Sequence, residues 1–324
     1  MSRFVIFNQY PARMRYQEWW EAELEFQFKK YFDDVITIPG IGYQEDYTNE
    51  QFSPAKASII WEATQIQNAI EFVKPDDILF FCDISYPGLS PQLAFHFREN
   101  KKFGYCHATS MNNYDIFEEY RNSKYLSELS VMQAMDKVFF GTEYSLNKHY
   151  KNNIFKLQIN NSSVVGLPKP SYLDGISIYD SPKQYDVGII SRRNKQKVNE
   201  YLLDSILQVG FSVGFHDHTS SRQWEDYLSW IHSCRCIVSL ANEETYGYQV
   251  MDCEAVKIPF IAPNKYSYPE VVVNSLRYND STELIKLIRY YKNFNQSTSS
   301  MSSWAKETSL NWFENVSKEI KECL

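Results

Sequence analysis

The sequence predicts an α/β protein made of two doubly wound, parallel-sheet units. Short apolar runs alternate with longer amphipathic ones through residues 3–150. A stretch carrying proline, glycine, serine and aspartate at 167–183 interrupts the alternation, which restarts over 185–292. Strand–helix repetition of this kind belongs to parallel sheets with helices on both faces. The boundaries follow: a first domain over 1–166, a linker over 167–183, a second domain over 184–302, and a terminal helix over 303–324 that returns to pack on the first domain.

Each element has its own signal. Residues 3–7 read as a strand, 17–30 as a helix, 35–38 as a strand and 54–72 as a helix. The run Asp77-Ile-Leu-Phe-Phe-Cys82 is apolar throughout after its first residue, as a strand covered on both faces must be. Ser90 and Pro91 open a helix to residue 100, with serine as the N-cap and proline at the first helical position. A strand at 103–106, a helix at 126–135, a strand at 137–140 and a helix at 143–150 complete the first domain. In the second, strands at 185–190, 211–215, 236–240 and 259–262 alternate with helices at 195–209, 223–233, 248–256 and 283–292. The polar run 296–303 reads as a loop and 304–323 as one final helix.

Composition narrows the function classes. The 324 residues suit two domains. Lys plus Arg number 33 and Asp plus Glu 40, a net charge of −7. Residues 1–165 carry 16 basic and 21 acidic residues, and the remainder 17 and 19. Neither half has the basic excess of a protein that grips many phosphates of a nucleic acid. The 6 cysteines include only one close pair, Cys234 and Cys236, and read as buried, reduced thiols of a cytoplasmic protein. The first strand follows Met1 directly, without a signal-peptide pattern, and no apolar run approaches membrane-spanning length.

The chemistry concentrates in one segment, Ser239-Leu-Ala-Asn-Glu-Glu-Thr-Tyr-Gly-Tyr-Gln-Val-Met-Asp-Cys-Glu-Ala-Val-Lys-Ile-Pro259. A strand ends, a loop with two acids and a glycine follows, and a helix begins. Backbone N–H groups around Tyr246, Gly247 and Tyr248 suit an anion, and Gly247 lets a phosphate approach the backbone closely. Glu244 precedes the helix and Asp252 lies about one turn into it. Two carboxylates so spaced can take hydroxyls on either side of a diphosphate, as a nucleotide sugar requires. Upstream, Ser191-Arg192-Arg193-Asn-Lys195-Gln-Lys197 follows a strand and opens a helix. The run reads by itself as a solvated charge run at a helix start, but cations there oppose the helix dipole, which raises the functional reading.

In the first domain His107 and Asp83 each follow an apolar strand, the latter in Cys82-Asp83-Ile-Ser-Tyr86. The loop Asn8-Gln9-Tyr10-Pro11-Ala12-Arg13 follows the first strand, and Arg13, Arg15, Trp19 and Trp20 either line a cleft or bury along an amphipathic helix. His216-Asp217-His218 lacks a third ligand and reads as cleft lining rather than a metal centre.

The segment resembles the donor-binding domain of the retaining GT-B glycosyltransferases with an E-x7-E motif, a glycosyltransferase family 4-like pattern. Glu244, seven residues, Asp252, then Pro259 seven residues later match its register, with Gly247 at its glycine and Asp replacing the second Glu. Arg192 and Lys197 match its diphosphate-holding Arg and Lys. The first loop lacks the family's glycines.

The resemblance implies two Rossmann-like domains facing a cleft, and transfer of a hexosyl or pentosyl group from a nucleotide-diphospho-sugar to a hydroxyl with retention. It implies a catalytic set of His107, Glu244, Arg192 and Lys197. Donor contacts fall to Arg192, Lys197, Glu244, Thr245, Tyr246, Gly247, Tyr248 and Asp252. Acceptor contacts fall to Asn8, Arg13, Asp83 and Tyr86. No cofactor is expected and no metal is required, because two side-chain cations neutralise the leaving diphosphate. The acceptor is a saccharide or another hydroxyl. Two other readings stay open: a phage-type enzyme acting on a hydroxylated base in DNA, and a non-catalytic sugar-nucleotide-binding or scaffolding protein.

Overall fold

The computed structural model describes residues 2–12, 15–41, 54–84, 96–113, 121–151, 161–175, 182–191, 197–217, 220–221, 223–293 and 298–324. The chain divides into two compact units. One comprises Met1–Asn112, Ile116–Pro168 and Asn311–Leu324; the other comprises Asn113–Asp115 and Lys169–Leu310.

The first unit holds strands β1 (Phe4–Phe7), β2 (Val35–Ile38), β3 (Ile78–Phe81), β4 (Lys101–Cys106), β5 (Lys137–Phe140) and β6 (Ser162–Val164), with helices α1 (Tyr16–Phe28), α2 (Pro54–Phe72), α3 (Arg121–Ala134) and α4 (Glu143–Lys151). Its sheet runs β2-β1-β3-β4-β5-β6, parallel throughout. Successive side chains alternate between faces. Val5, Phe7, Leu79, Phe81, Val138 and Phe140 share one core with Ala69 of α2 and with Val131 and Met132 of α3. On the opposite face Phe4 and Phe80 meet Phe28 of α1, and Phe80 meets Trp312 of the terminal helix. Cover on both faces is why β1, β3 and β5 are buried at every position.

The second unit holds β7 (Tyr185–Ile190), β8 (Val213–His216), β9 (Cys234–Val238), β10 (Phe260–Pro263) and β11 (Arg277–Tyr278). Its helices are α5 (Glu200–Gln208), α6 (Trp224–His232), α7 (Gln249–Ala255), α8 (Tyr268–Val271), α9 (Ser281–Asn293) and α10 (Ser303–Leu310). The sheet runs β11-β10-β9-β7-β8, again parallel. In each unit the chain first adds a strand on one side and then crosses to the other. The order therefore reverses between β1 and β3 in the first unit, and between β7 and β9 in the second. Ligands of open α/β sheets settle at such reversals, beyond the carboxyl ends of the strands.

Several elements differ from the sequence expectation. The strands β6 and β11 and the one-turn helix α8 add to the expected set. Helix α5 starts at Glu200 rather than 195, because Val198 bridges to Leu240 in extended form and Asn199 then caps the helix by accepting from the Leu202 amide at 3.2 Å. The single helix expected over 304–323 is two, α10 and α11 (Trp312–Lys321), separated at Asn311 with φ −100 and ψ 12. The helix expected over 90–100 lies mostly outside the described residues. Among the described residues no helix is long and apolar enough to cross a membrane.

Candidate active site at the strand ends of the second unit

The reversal between β7 and β9 is stitched by the backbone itself. The Asn199 amide donates to Leu240 O at 2.8 Å, and Asn199 Nδ2 donates to Asn242 Oδ1 at 2.9 Å. The loop after β7 is thereby tied to the loop after β9. That tie delivers Lys197 to Glu244, 47 positions away: Nζ donates to Oε2 at 2.8 Å, with both side chains part-buried. The other carboxylate oxygen, Oε1, accepts from the Thr245 amide at 3.1 Å. Gln249, at the start of α7, donates from Nε2 to Ile190 O at 3.0 Å, pinning the helix to the end of β7.

Gly247 lies between these ties at φ +88, a conformation that side chains with a Cβ rarely adopt. A Cβ there would stand 3.2 Å from Tyr268 Cε1 and 3.4 Å from Glu244 Cγ. Tyr268 cannot yield easily, because it is fully buried and its hydroxyl is bonded to Ser239 Oγ at 2.6 Å. The glycine thus keeps the loop against Glu244.

Asp252 occupies a different environment from Glu244. It is 3% exposed, and each carboxylate oxygen accepts one tyrosine hydroxyl: Tyr172 on Oδ1 at 2.7 Å and Tyr227 on Oδ2 at 2.8 Å. Burial pushes its pKa up to about 6, against the lowering effect of the two hydrogen bonds. Because the folded value lies above the unfolded one, the folded state binds the proton more tightly. Stability is therefore fullest below pH 4 and falls as pH rises through 6. A rise of two pKa units corresponds to roughly 3 kcal/mol. In Asp252→Asn this part of the pH dependence is expected to vanish, which chemical denaturation at pH 4, 5, 6 and 7 measures. An undiminished slope in the variant would assign the effect to another group.

In the first unit Asn8, Asp83 and His107 converge on the reversal between β1 and β3. Asn8 Oδ1 accepts from Cys82 Sγ at 3.1 Å, while its backbone carbonyl accepts from Trp61 Nε1 at 2.9 Å and Gln65 Nε2 at 2.8 Å. Gln9 Nε2 donates to Asp83. His107 hydrogen-bonds the Cys82 backbone and sits among Tyr16, Trp20 and Tyr105 at ring separations of 4.5–4.6 Å. Burial lowers its pKa to about 3, so the ring is neutral at pH 7. Its Nε2 and the Asn8 Nδ2 are buried and have no hydrogen-bond partner among the described residues. Trp19 and Trp20 are buried on α1, and Trp20 forms a wall of the His107 cage.

A buried acid that no pattern in the sequence marks lies beside these residues. Glu128 accepts from the Ser110 amide and hydroxyl at 2.9–3.2 Å and lies 3.8 Å from Lys124. Burial raises Glu128 to about 7 and lowers Lys124. Nor does any spacing in the sequence connect Tyr172, Tyr227 and Gln249 to the residues they hold.

Arg192, Arg13, Tyr86 and His218 lie outside the described residues. His216 is bonded through Nε2 to Ser221 Oγ at 2.7 Å and packs on Tyr227 and Trp230. Among the described residues no group of three or more His, Cys, Asp or Glu could hold a metal ion.

No model of a known protein family matches the sequence, and no curated protein matches it. Solved structures do. The chain is similar to a sucrose-phosphate synthase from Thermosynechococcus elongatus, with TM-score 0.66 and 11% identity over 100% of this chain and 95% of that one. It is similar to an α,α-trehalose-phosphate synthase (UDP-forming) from Burkholderia vietnamiensis, with TM-score 0.62 and 8% identity over 99% and 100% of the two chains. The lipopolysaccharide outer core galactosyltransferase WaaB in its apo form matches with TM-score 0.59 and 12% identity over 100% of both. At such identities the likeness is one of architecture: two parallel α/β units that together have the fold of the GT-B glycosyltransferases.

Proposed function

We propose that this chain is a glycosyltransferase that moves a hexosyl or pentosyl group from a nucleotide-diphospho-sugar to an acceptor hydroxyl, with retention of configuration. One observation carries the reading: at the reversal between β7 and β9, Lys197 Nζ stands 2.8 Å from Glu244 Oε2, beside Gly247 at φ +88. A cation, an acid and a closely approachable backbone meet where an α/β sheet of this kind takes its ligand.

In this reading Lys197 and Arg192 neutralise the leaving diphosphate, and Glu244 accepts hydroxyls of the donor sugar. An ammonium has three donors, so Lys197 can keep Glu244 and still reach a phosphate oxygen. Side-chain cations aimed at developing charge do the work that a metal does elsewhere. The diphosphate, as it departs, takes the proton of the incoming hydroxyl. Asn8 and Asp83 are assigned to the acceptor, with Arg13 and Tyr86, and neutral His107 to the catalytic centre as a hydrogen-bonding group.

The test is a thermal-shift series with UDP, GDP, ADP and dTDP and their sugars. A ligand at a hundredfold excess over Kd stabilises by about 2.7 kcal/mol. One nucleotide class is expected to raise Tm, and Lys197→Ala is expected to abolish the rise. No shift with any of them counts against the reading.

A further inference from the structure

Tyr172 makes an unusual pair of contacts. Its half-buried ring lies flat on Trp224, with centroids 3.9 Å apart and planes 9° apart. Its hydroxyl donates to Asp252 Oδ1 at 2.7 Å. Trp224 and Tyr227 stand three residues apart on α6 and so share a helix face. Tyr227 gives the second hydrogen bond to Asp252, at 2.8 Å. Tyr172 is therefore held between an aromatic plane and a buried carboxylate. A nucleoside offers the same two handles, a flat π face and hydroxyls on the sugar beside it.

The location agrees. Tyr248, one residue beyond Gly247, lies within electrostatic reach of Tyr172. Asp252 lies on α7, which the Glu244–Gly247 loop enters, and Tyr227 packs on His216 at the end of β8, so the clasp stands at the strand ends of the same unit. Tyr172 is also poorly anchored by its backbone. It belongs to a single 3-10 turn, Ser171–Leu173, whose hydrogen bonds are local: Leu173 N to Pro170 O and Asp174 N to Ser171 O. Gly175 at φ +72 follows, and among the described residues no atom lies within 4 Å of where its Cβ would stand. The ring can leave Trp224 without breaking a sheet or helix bond. No lysine or arginine among the described residues pairs with Asp252, so a ribose hydroxyl would replace a tyrosine hydroxyl in kind.

We propose that Tyr172 is a built-in occupant of the nucleoside pocket, and that Trp224 is the platform on which the donor's base stacks once Tyr172 withdraws. The inference rests on the nucleotide-sugar reading above. It makes Asp252 a ribose ligand only in the open form, and it makes Tyr172 a competitor that weakens apparent affinity in proportion to its closed population.

Calorimetric titration of the full chain with UDP, GDP and ADP tests this. A pocket closed nine-tenths of the time lowers apparent affinity about tenfold. Tyr172→Ala is accordingly expected to bind the preferred diphosphate about tenfold more tightly than the wild type. Tyr172→Phe, which keeps the ring and loses the hydroxyl, should gain less and serves if the alanine variant fails to fold. Trp224→Leu should bind about tenfold more weakly, the value of one base–aromatic stack. If the wild type binds a diphosphate and both Tyr172 variants bind it equally or less well, the occupant assignment is overturned and the donor reading survives. If folded wild type and folded Tyr172 variants all bind none, both fall.

Discussion

Lys197→Ala is expected to lower kcat by about 100- to 1,000-fold, the usual loss when one preorganised group facing developing charge is removed. Stability should hardly change. The Lys197–Glu244 pair is partly exposed, and such pairs contribute little to folding once solvent screens them. Glu244→Gln removes the carboxylate charge while keeping the side chain's size. Because the two groups are bonded directly at 2.8 Å, their effects on turnover should combine less than additively. Steady-state kinetics on both single variants and the double variant, with thermal unfolding alongside, separates the outcomes. Unchanged turnover in Lys197→Ala, in a folded protein, would remove the diphosphate role assigned to it. Turnover lost together with Tm would show instead that the pair holds the loop.

The second large effect lies in the core of the first unit. Trp312 is fully buried at the start of α11 and packs on Trp20, Phe28 and Tyr105 at ring separations of 5.4–6.1 Å. Its Nε1 donates to Gly166 O at 3.2 Å. Trp312→Ala should destabilise the first unit by about 3–5 kcal/mol through lost burial and the cavity left behind. The Gly166 carbonyl would not be orphaned, because Tyr105 donates to it at 2.6 Å. The loss is therefore chiefly one of packing. Trp312→Phe, which retains most of the apolar volume, should cost much less. Urea unfolding followed by tryptophan fluorescence measures both, with a lower midpoint expected in the alanine variant. A midpoint equal to wild type would mean that α11 is not part of the cooperative core. Trp312 and Ile320 must face the first unit's core, while Ala305 is buried within the second unit. The chain turns between the two helices at Asn311.

Much of the fold was legible because its signals are local. The runs that became β1 and β3 are apolar throughout, and that of β5 after its first residue, as strands covered on both faces require. The acid–glycine–acid spacing of Glu244, Gly247 and Asp252 was likewise readable, since it lies within one strand–loop–helix passage. The edge strands β6 and β11 were not. Their sequences, Ser-Ser-Val and Arg-Tyr, carry no apolar run. They are strands because a neighbouring strand already presents a row of hydrogen-bonding groups.

By itself, then, the sequence determined the α/β class, the alternation of its elements, and the placement of Lys197, Glu244 and Asp252 after the strands of the second unit. Only the tertiary structure decided what those side chains meet. Glu244 found a cation, whereas Asp252, eight residues on, found two tyrosines from 80 and 25 positions away. Hydrophobic periodicity is set by the backbone of one element. The partner of a buried polar group is set by whichever distant segments the fold brings within about 3 Å of it, and a buried carboxylate must find such partners or lose its charge.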